Sequence, residues 1–194
     1  GKTLYVANAD NNDVAVIDLA TSREVRRIAV VREPVAAAVT PDGTAVLVAN
    51  HLPGGSPSTR PFASVVTVID TQTHHTTAIP LPHGSHSLRG LCVAPNGKQA
   101  YVTHLVSSFE LIPLQVEQGW INSNVVSVLD MQQQKVIRTV GLDEPSLGAG
   151  NPWAVACTSD GKSIGVSHAG SHELSVVATA ALLGPLVHVL TAPT

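Results

Sequence analysis

Apolar positions along the chain come in short runs that alternate with polar ones, as in "VAVID" (14–18), "VVTVID" (65–70) and "NVVSVLD" (124–130). A period of two puts successive side chains on opposite faces of a sheet, so these runs predict strands. Between them stand "TPDG" (40–43), "APNG" (94–97) and "TSDG" (158–161), where Asp-Gly and Asn-Gly supply the positive φ of tight hairpin turns. Asp18, Asp70 and Asp130 close one strand of each set, where a short acceptor can bond the amides of the following turn.

These elements recur as a repeat. Each unit holds a strand of small residues, a PDG-type turn, a "LYVAN"-type strand, a "VID"-type strand and a final short strand. The units fall near residues 1–30, 34–80, 87–140 and 151–191, giving three strands and then four, four and four. Small side chains in "AAAV", "GLCV" and "AVAC" suit a crowded innermost strand. The expected fold is therefore all-β: a β-propeller of four-stranded antiparallel blades, within a single domain or fragment over 1–194. No spare strand completes the first unit, and four blades are few. The chain thus reads as part of a larger ring, for example a seven-bladed one, whose apolar last strand "PLVHVL" would cover a contact with missing protein.

The strands "LYVAN", "AYVTH" and, more loosely, "GVSHA", with the periodic "VID" and "PDG" elements, resemble the YVTN family of β-propellers over nearly the whole chain. The longer pattern "YVTHLVSSF…GWINSNVVSVLD…NPWAVACTSDG…VSHAGSHELSVV" resembles bacterial extracytoplasmic proteins in which such repeats precede a cytochrome c peroxidase-like module with haem sites. That resemblance implies a periplasmic or secreted setting and a redox protein partner.

Composition narrows the function classes. Charged residues make up 13% of the chain, aromatics 3%, and net charge is −3 without a basic run, so no nucleic-acid partner held through phosphates is expected. The two cysteines, Cys92 and Cys157, form no CxxCH motif, so this chain attaches no c-type haem covalently. They fall one register apart in successive inner strands, and this offset predicts separate buried thiols rather than a disulfide. The opening "GKTLYVAN" lacks a charged segment followed by an apolar one, and reads as a processed form or fragment. Residues 175–193 are long and apolar enough to span a bilayer, but Gly184-Pro185 and the repeat argue for strands and against a span.

Loops joining second to third strands and blade to blade share one rim, and every long insertion falls there: 51–63, 81–86, 105–123 and 141–150. Insertions gathered on one face mark a binding face. The residues it offers are His51, His83, His86, Arg89, His104, Trp120, Trp153, His168 and His172. Imidazoles around such a mouth could ligate a transition metal, His104 and His168 first among them. Alternatively, these two replace asparagine at the ends of second strands and bond loop carbonyls. Arg89 reads as a contact for an anion, or as a donor to loop carbonyls. The opposite rim is bare.

The expected function is an extracytoplasmic binding or docking domain associated with a c-type cytochrome or peroxidase-like protein, taking that partner or a small ligand on the loop-rich face. A non-redox surface or adhesion scaffold is one alternative. A lactonase-like or metal-dependent propeller enzyme is another. Nothing in the residues demands catalysis by this chain alone.

Overall fold

A computed structural model describes residues 1–56, 58, 60–109, 121–143 and 150–184 of the chain. Its strands form four antiparallel sheets that follow one another in sequence. The first orders β1 (Thr3–Asn8), β2 (Asp13–Asp18) and β3 (Arg23–Ala29). The second orders β4 (Pro34–Val39), β5 (Ala45–Asn50), β6 (Val65–Asp70) and β7 (Thr76–Pro80). The third adds a short β8 (Ser85–His86) to β9 (Leu91–Val93), β10 (Gln99–Ser107), β11 (Asn122–Asp130) and β12 (Lys135–Gly141). The fourth orders β13 (Pro152–Cys157), β14 (Ser163–His168) and β15 (Glu173–Ala178).

Alternation decides how the sheets stack. On β5, Val46 and Val48 join Val14, Val16 and Ile28 of the first sheet, while Leu47 and Ala49 join Ala100, Val102 and Leu129 of the third. On β10, Ala100 and Val102 face back to the second sheet, while Tyr101 packs with Val155, Ile164 and Val166 of the fourth. Each middle sheet is thus buried on both faces. Fully burying one such side chain contributes about 1.5–3 kcal/mol.

The turns behave as their residues dictate. Gly43, Gly97 and Gly161 take φ of 73°, 69° and 68°, a region that costs a residue without Cβ nothing. Asp70 Oδ1 accepts the amides of Gln72 and Thr73 at 2.9 and 2.7 Å, and Asp130 Oδ1 that of Gln133 at 2.8 Å.

Three features depart from the sequence reading. The stretch expected as a blade-to-blade loop contains β8, which pairs with β10 through Leu105↔His86 and Val106↔Ser85. The third insertion accordingly starts later than residue 105, because β10 continues to Ser107. After β15 the chain enters a short helix, α1 (Thr179–Leu183), in place of a turn to another strand. Ala and Leu favour helix, and Leu182 is buried in the core between the third and fourth sheets. The expected last strand "PLVHVL" lies outside the described residues. Among the described residues no helix is long and apolar enough to cross a membrane.

Candidate functional site: the loop-rich rim

The long excursions meet. His83 Nδ1 accepts the Phe62 amide at 3.0 Å, and the Phe62 and Phe109 rings pack edge to face with centroids 6.2 Å apart. The His83 ring stands 5.2 Å from that of Phe109. Gly84 N–H donates to the Phe62 carbonyl at 3.0 Å, and Ser107 N–H to that of Gly84 at 2.9 Å. Loop 51–63, connection 81–86 and the start of the 105–123 excursion therefore share one rim. Both phenylalanines of the chain lie in these two excursions, a signal in the sequence that the histidine-centred reading passed over.

Of the rim histidines, His51 donates Nδ1–H to the Leu88 carbonyl at 3.0 Å. His86 Nδ1 lies 2.8 Å from Ser87 Oγ. Burial, and then the neighbouring His51, lower its pKa against an opposing bond with Asn122. His172 sits at φ 58° and its N–H donates to the His168 carbonyl at 3.0 Å, closing the tight turn after β14. Trp120 lies outside the described residues.

His168 ends β14, whereas His104 lies inside β10, which runs on to Ser107. His104 is fully buried, with Nδ1 3.1 Å from the Leu105 carbonyl and Nε2 2.7 Å from Ser127 Oγ. The carbonyl can only accept, so Nδ1 carries the proton and Nε2 accepts from the serine. Burial holds the ring neutral, with its pKa lowered to about 4. His168 repeats the serine bond alone: its Nε2 is 2.8 Å from Ser175 Oγ, and its buried Nδ1 has no partner among the described residues. Asn50 does the same through Nδ2, bonding Thr67 Oγ1 and the Val65 carbonyl, both at 2.9 Å. In the first sheet Asn8 donates to Asp13 instead, at 2.7 Å. Position by position, the polar side chain aligned with Asn50 on each second strand is bonded to the third strand of its own sheet.

Both imidazole nitrogens of His104 are engaged inside the protein, and no group of three His, Cys, Asp or Glu side chains among the described residues converges to hold an ion. In both residues Nε2 is bonded to a serine of the third strand, the place an asparagine takes in the second blade.

Arg89 and Trp153 form the second cluster. The Arg89 guanidinium carbon lies 4.2 Å above the Trp153 ring, a cation–π stack. Its Nε is buried without a partner among the described residues. Thr103 ties the two inner strands together, its hydroxyl accepting the Gly90 amide at 2.8 Å and donating to the Trp153 carbonyl at 3.0 Å. Such a guanidinium can present N–H donors to an acidic group while the ring fixes its plane.

The opposite rim holds a cleft of about 900 Å³ between the second and third sheets, lined by Asp42, Asp70, Asp130, His75 and Lys98 among others. The sequence reading did not foresee it. One oxygen of each carboxylate serves its own turn: Asp42 Oδ1 accepts from the hydroxyls of Thr40 and Thr44 at 2.6 and 2.9 Å, and Asp70 and Asp130 close their turns through Oδ1. The bonds hold Asp42 and Asp70 below the usual carboxylate range.

No family model matches the chain. The solved structure of Kuenenia stuttgartiensis hydrazine synthase superposes on 94% of this chain and 63% of that chain, with a TM-score of 0.64 and 21% identity. The fold is a β-propeller. Over 102 residues, 53% of the propeller chain, it is 26% identical to hydrazine synthase subunit beta of the same organism, and it spans 26% of that relative's length. The four sheets are thus propeller blades, and the loop-rich rim is one of the propeller's two faces.

Proposed function

We propose that this propeller is a docking module of a multi-subunit redox assembly, holding a haem-bearing protein at its loop-rich rim in a bacterial extracytoplasmic setting. The observation that carries the reading is exposed apolar surface on that rim. Phe109 is 47% exposed, Ile121 38% and Trp153 45%. A chain with few aromatics spends two of them outward on one face, beside an arginine. Aromatic and arginine anchors of this kind dominate protein–protein binding energy.

Two further lines support it. The curated relative is by name a subunit of an enzyme, so a partner protein is the natural occupant of the rim. The resemblance to repeat domains fused to cytochrome c peroxidase-like modules supplies the redox character. This chain has no haem-attachment motif, so the haem belongs to the partner. On the fourth blade Leu174 and Val176 are 67% and 70% exposed, and we take that face to be where a further blade of a larger ring packs.

The test is co-purification of the tagged protein from its native host, with and without the Phe109→Ala and Trp153→Ala substitutions. A reduced haem c spectrum co-eluting with the wild type and lost from the double variant is expected. Recovery with no haem protein, or haem recovery indifferent to the two substitutions, would favour a non-redox scaffold.

A further inference from the structure

Cys92 on β9 and Cys157 on β13 belong to different blades, yet their sulfurs lie 2.8 Å apart, both as free thiols. The one-register offset that predicted their separation is what brings them together. In the ladders Cys92 pairs with Tyr101, while Cys157 pairs with Ile164 and its neighbour Ala156 with Gly165. Cys92 corresponds to Ala156, so the two cysteines point to opposite faces of their own sheets. Sheets stacked face to face turn those two faces toward each other.

The approach is enforced by backbone. A Cβ on Gly90 would lie 2.5 Å from Val155 N and 2.7 Å from the Trp153 carbonyl oxygen, so only glycine lets β9 and β13 run this close. Packing alone does not require sulfur here. At the equivalent positions of the second and third blades the chain uses Ala38 and Val93.

We infer that Cys92 and Cys157 form a thiol–disulfide exchange site, a reversible covalent staple between the third and fourth blades. The inference rests on the inner-strand geometry and not on the docking role. Cys157 is the attacking group: the bond with Cys92 lowers its pKa, whereas the same bond and burial push the Cys92 thiol up. The co-reactant is a disulfide such as oxidised glutathione. Cys157 thiolate attacks one of its sulfurs, breaking that S–S bond and releasing one thiolate. Cys92 then gives up its proton to solvent and attacks Cys157 Sγ, forming the inter-blade bond and expelling the second thiolate. Two protein thiols are oxidised and one disulfide is reduced to two thiols.

The experiment uses the full chain, reduced, desalted and exposed to oxidised glutathione under native conditions. Non-reducing peptide mapping is expected to show a Cys92–Cys157 cross-linked peptide, with both thiols lost to titration in denaturant. Tm is expected to rise by roughly 5–10 °C on oxidation. Cys92→Ser is expected to trap glutathione on Cys157. Two thiols still titrating after treatment, separate glutathione adducts on each cysteine, or only inter-chain dimers would overturn the inference. The wild-type map decides even if the variant fails to fold.

Discussion

His104 and Ser127 sit on neighbouring strands of the third blade with Nε2 2.7 Å from Oγ, both side chains sealed from solvent. Ser127 in turn lies 2.6 Å from Thr139 Oγ1, so one imidazole anchors a polar thread across three strands. His104→Leu would strip the thread of its acceptor and is expected to cost about 2–3 kcal/mol. His104→Asn restores the group that Asn50 uses at the same place in the second blade, and should cost about 1 kcal/mol. Urea midpoints of the two variants check the ranking, and equal losses would contradict it.

Burial of a neutral His104 also fixes a pH dependence. Its pKa falls from 6.5 to about 4 on folding, so between those values the unfolded chain binds the extra proton. Stability should therefore be full above the unfolded value, fall as pH drops from about 6.5 to 4, and flatten below. The full span is worth about 3 kcal/mol. His86, also lowered by burial, adds to the same window. The carboxylates lowered by turn bonds, Asp42, Asp70 and Asp160, act only below the ordinary carboxylate range. Unfolding free energies measured from pH 7 to 4 should fall in wild type and change distinctly less in His104→Asn.

Glycines test the blade contact. Gly90→Ala drives a Cβ into the backbone of β13 and should destabilise the fold by about 3 kcal/mol or more. Gly165→Ala meets only Leu174 Cδ1, at 3.8 Å, and should stay within about 1 kcal/mol of wild type. Thermal melts of both distinguish a crowded inner-strand contact from general intolerance to substitution.

The repeat was legible because its signals are local. Gly43 needs positive φ whatever surrounds it, and Asp70 bonds amides two and three residues on. His168 ends its strand as expected, while β10 runs past His104 to Ser107; the chemistry of both depended on serines across the ladder, a pairing that spacing alone does not weigh. Cys92 and Cys157 show the limit most clearly. Register gave the direction each side chain faces, whereas contact depended on how two blades stack, which no window of sequence contains. Phe62 and Phe109 meet for a similar reason: their loops are insertions, outside the repeat that ordered everything else.

If the rim is a docking face, its anchors should matter to binding and not to folding. Phe109→Ala and Trp153→Ala should each leave the urea midpoint within about 1 kcal/mol of wild type while weakening capture of the haem partner by about tenfold or more. Arg89→Ala should do the same with a reduced salt dependence. Titration of the purified partner at two ionic strengths measures both.

A photo-cross-linking residue placed at 109 on the elaborated face, and separately at 132 on the bare one, interrogates the docking claim without relying on stability. Expressed in the native host and irradiated, the protein labelled at 109 should attach to a c-type haem protein, identified by mass spectrometry of the covalent product, while the protein labelled at 132 should not. Attachment from 132 alone, or from 109 only to proteins without haem, would contradict the account.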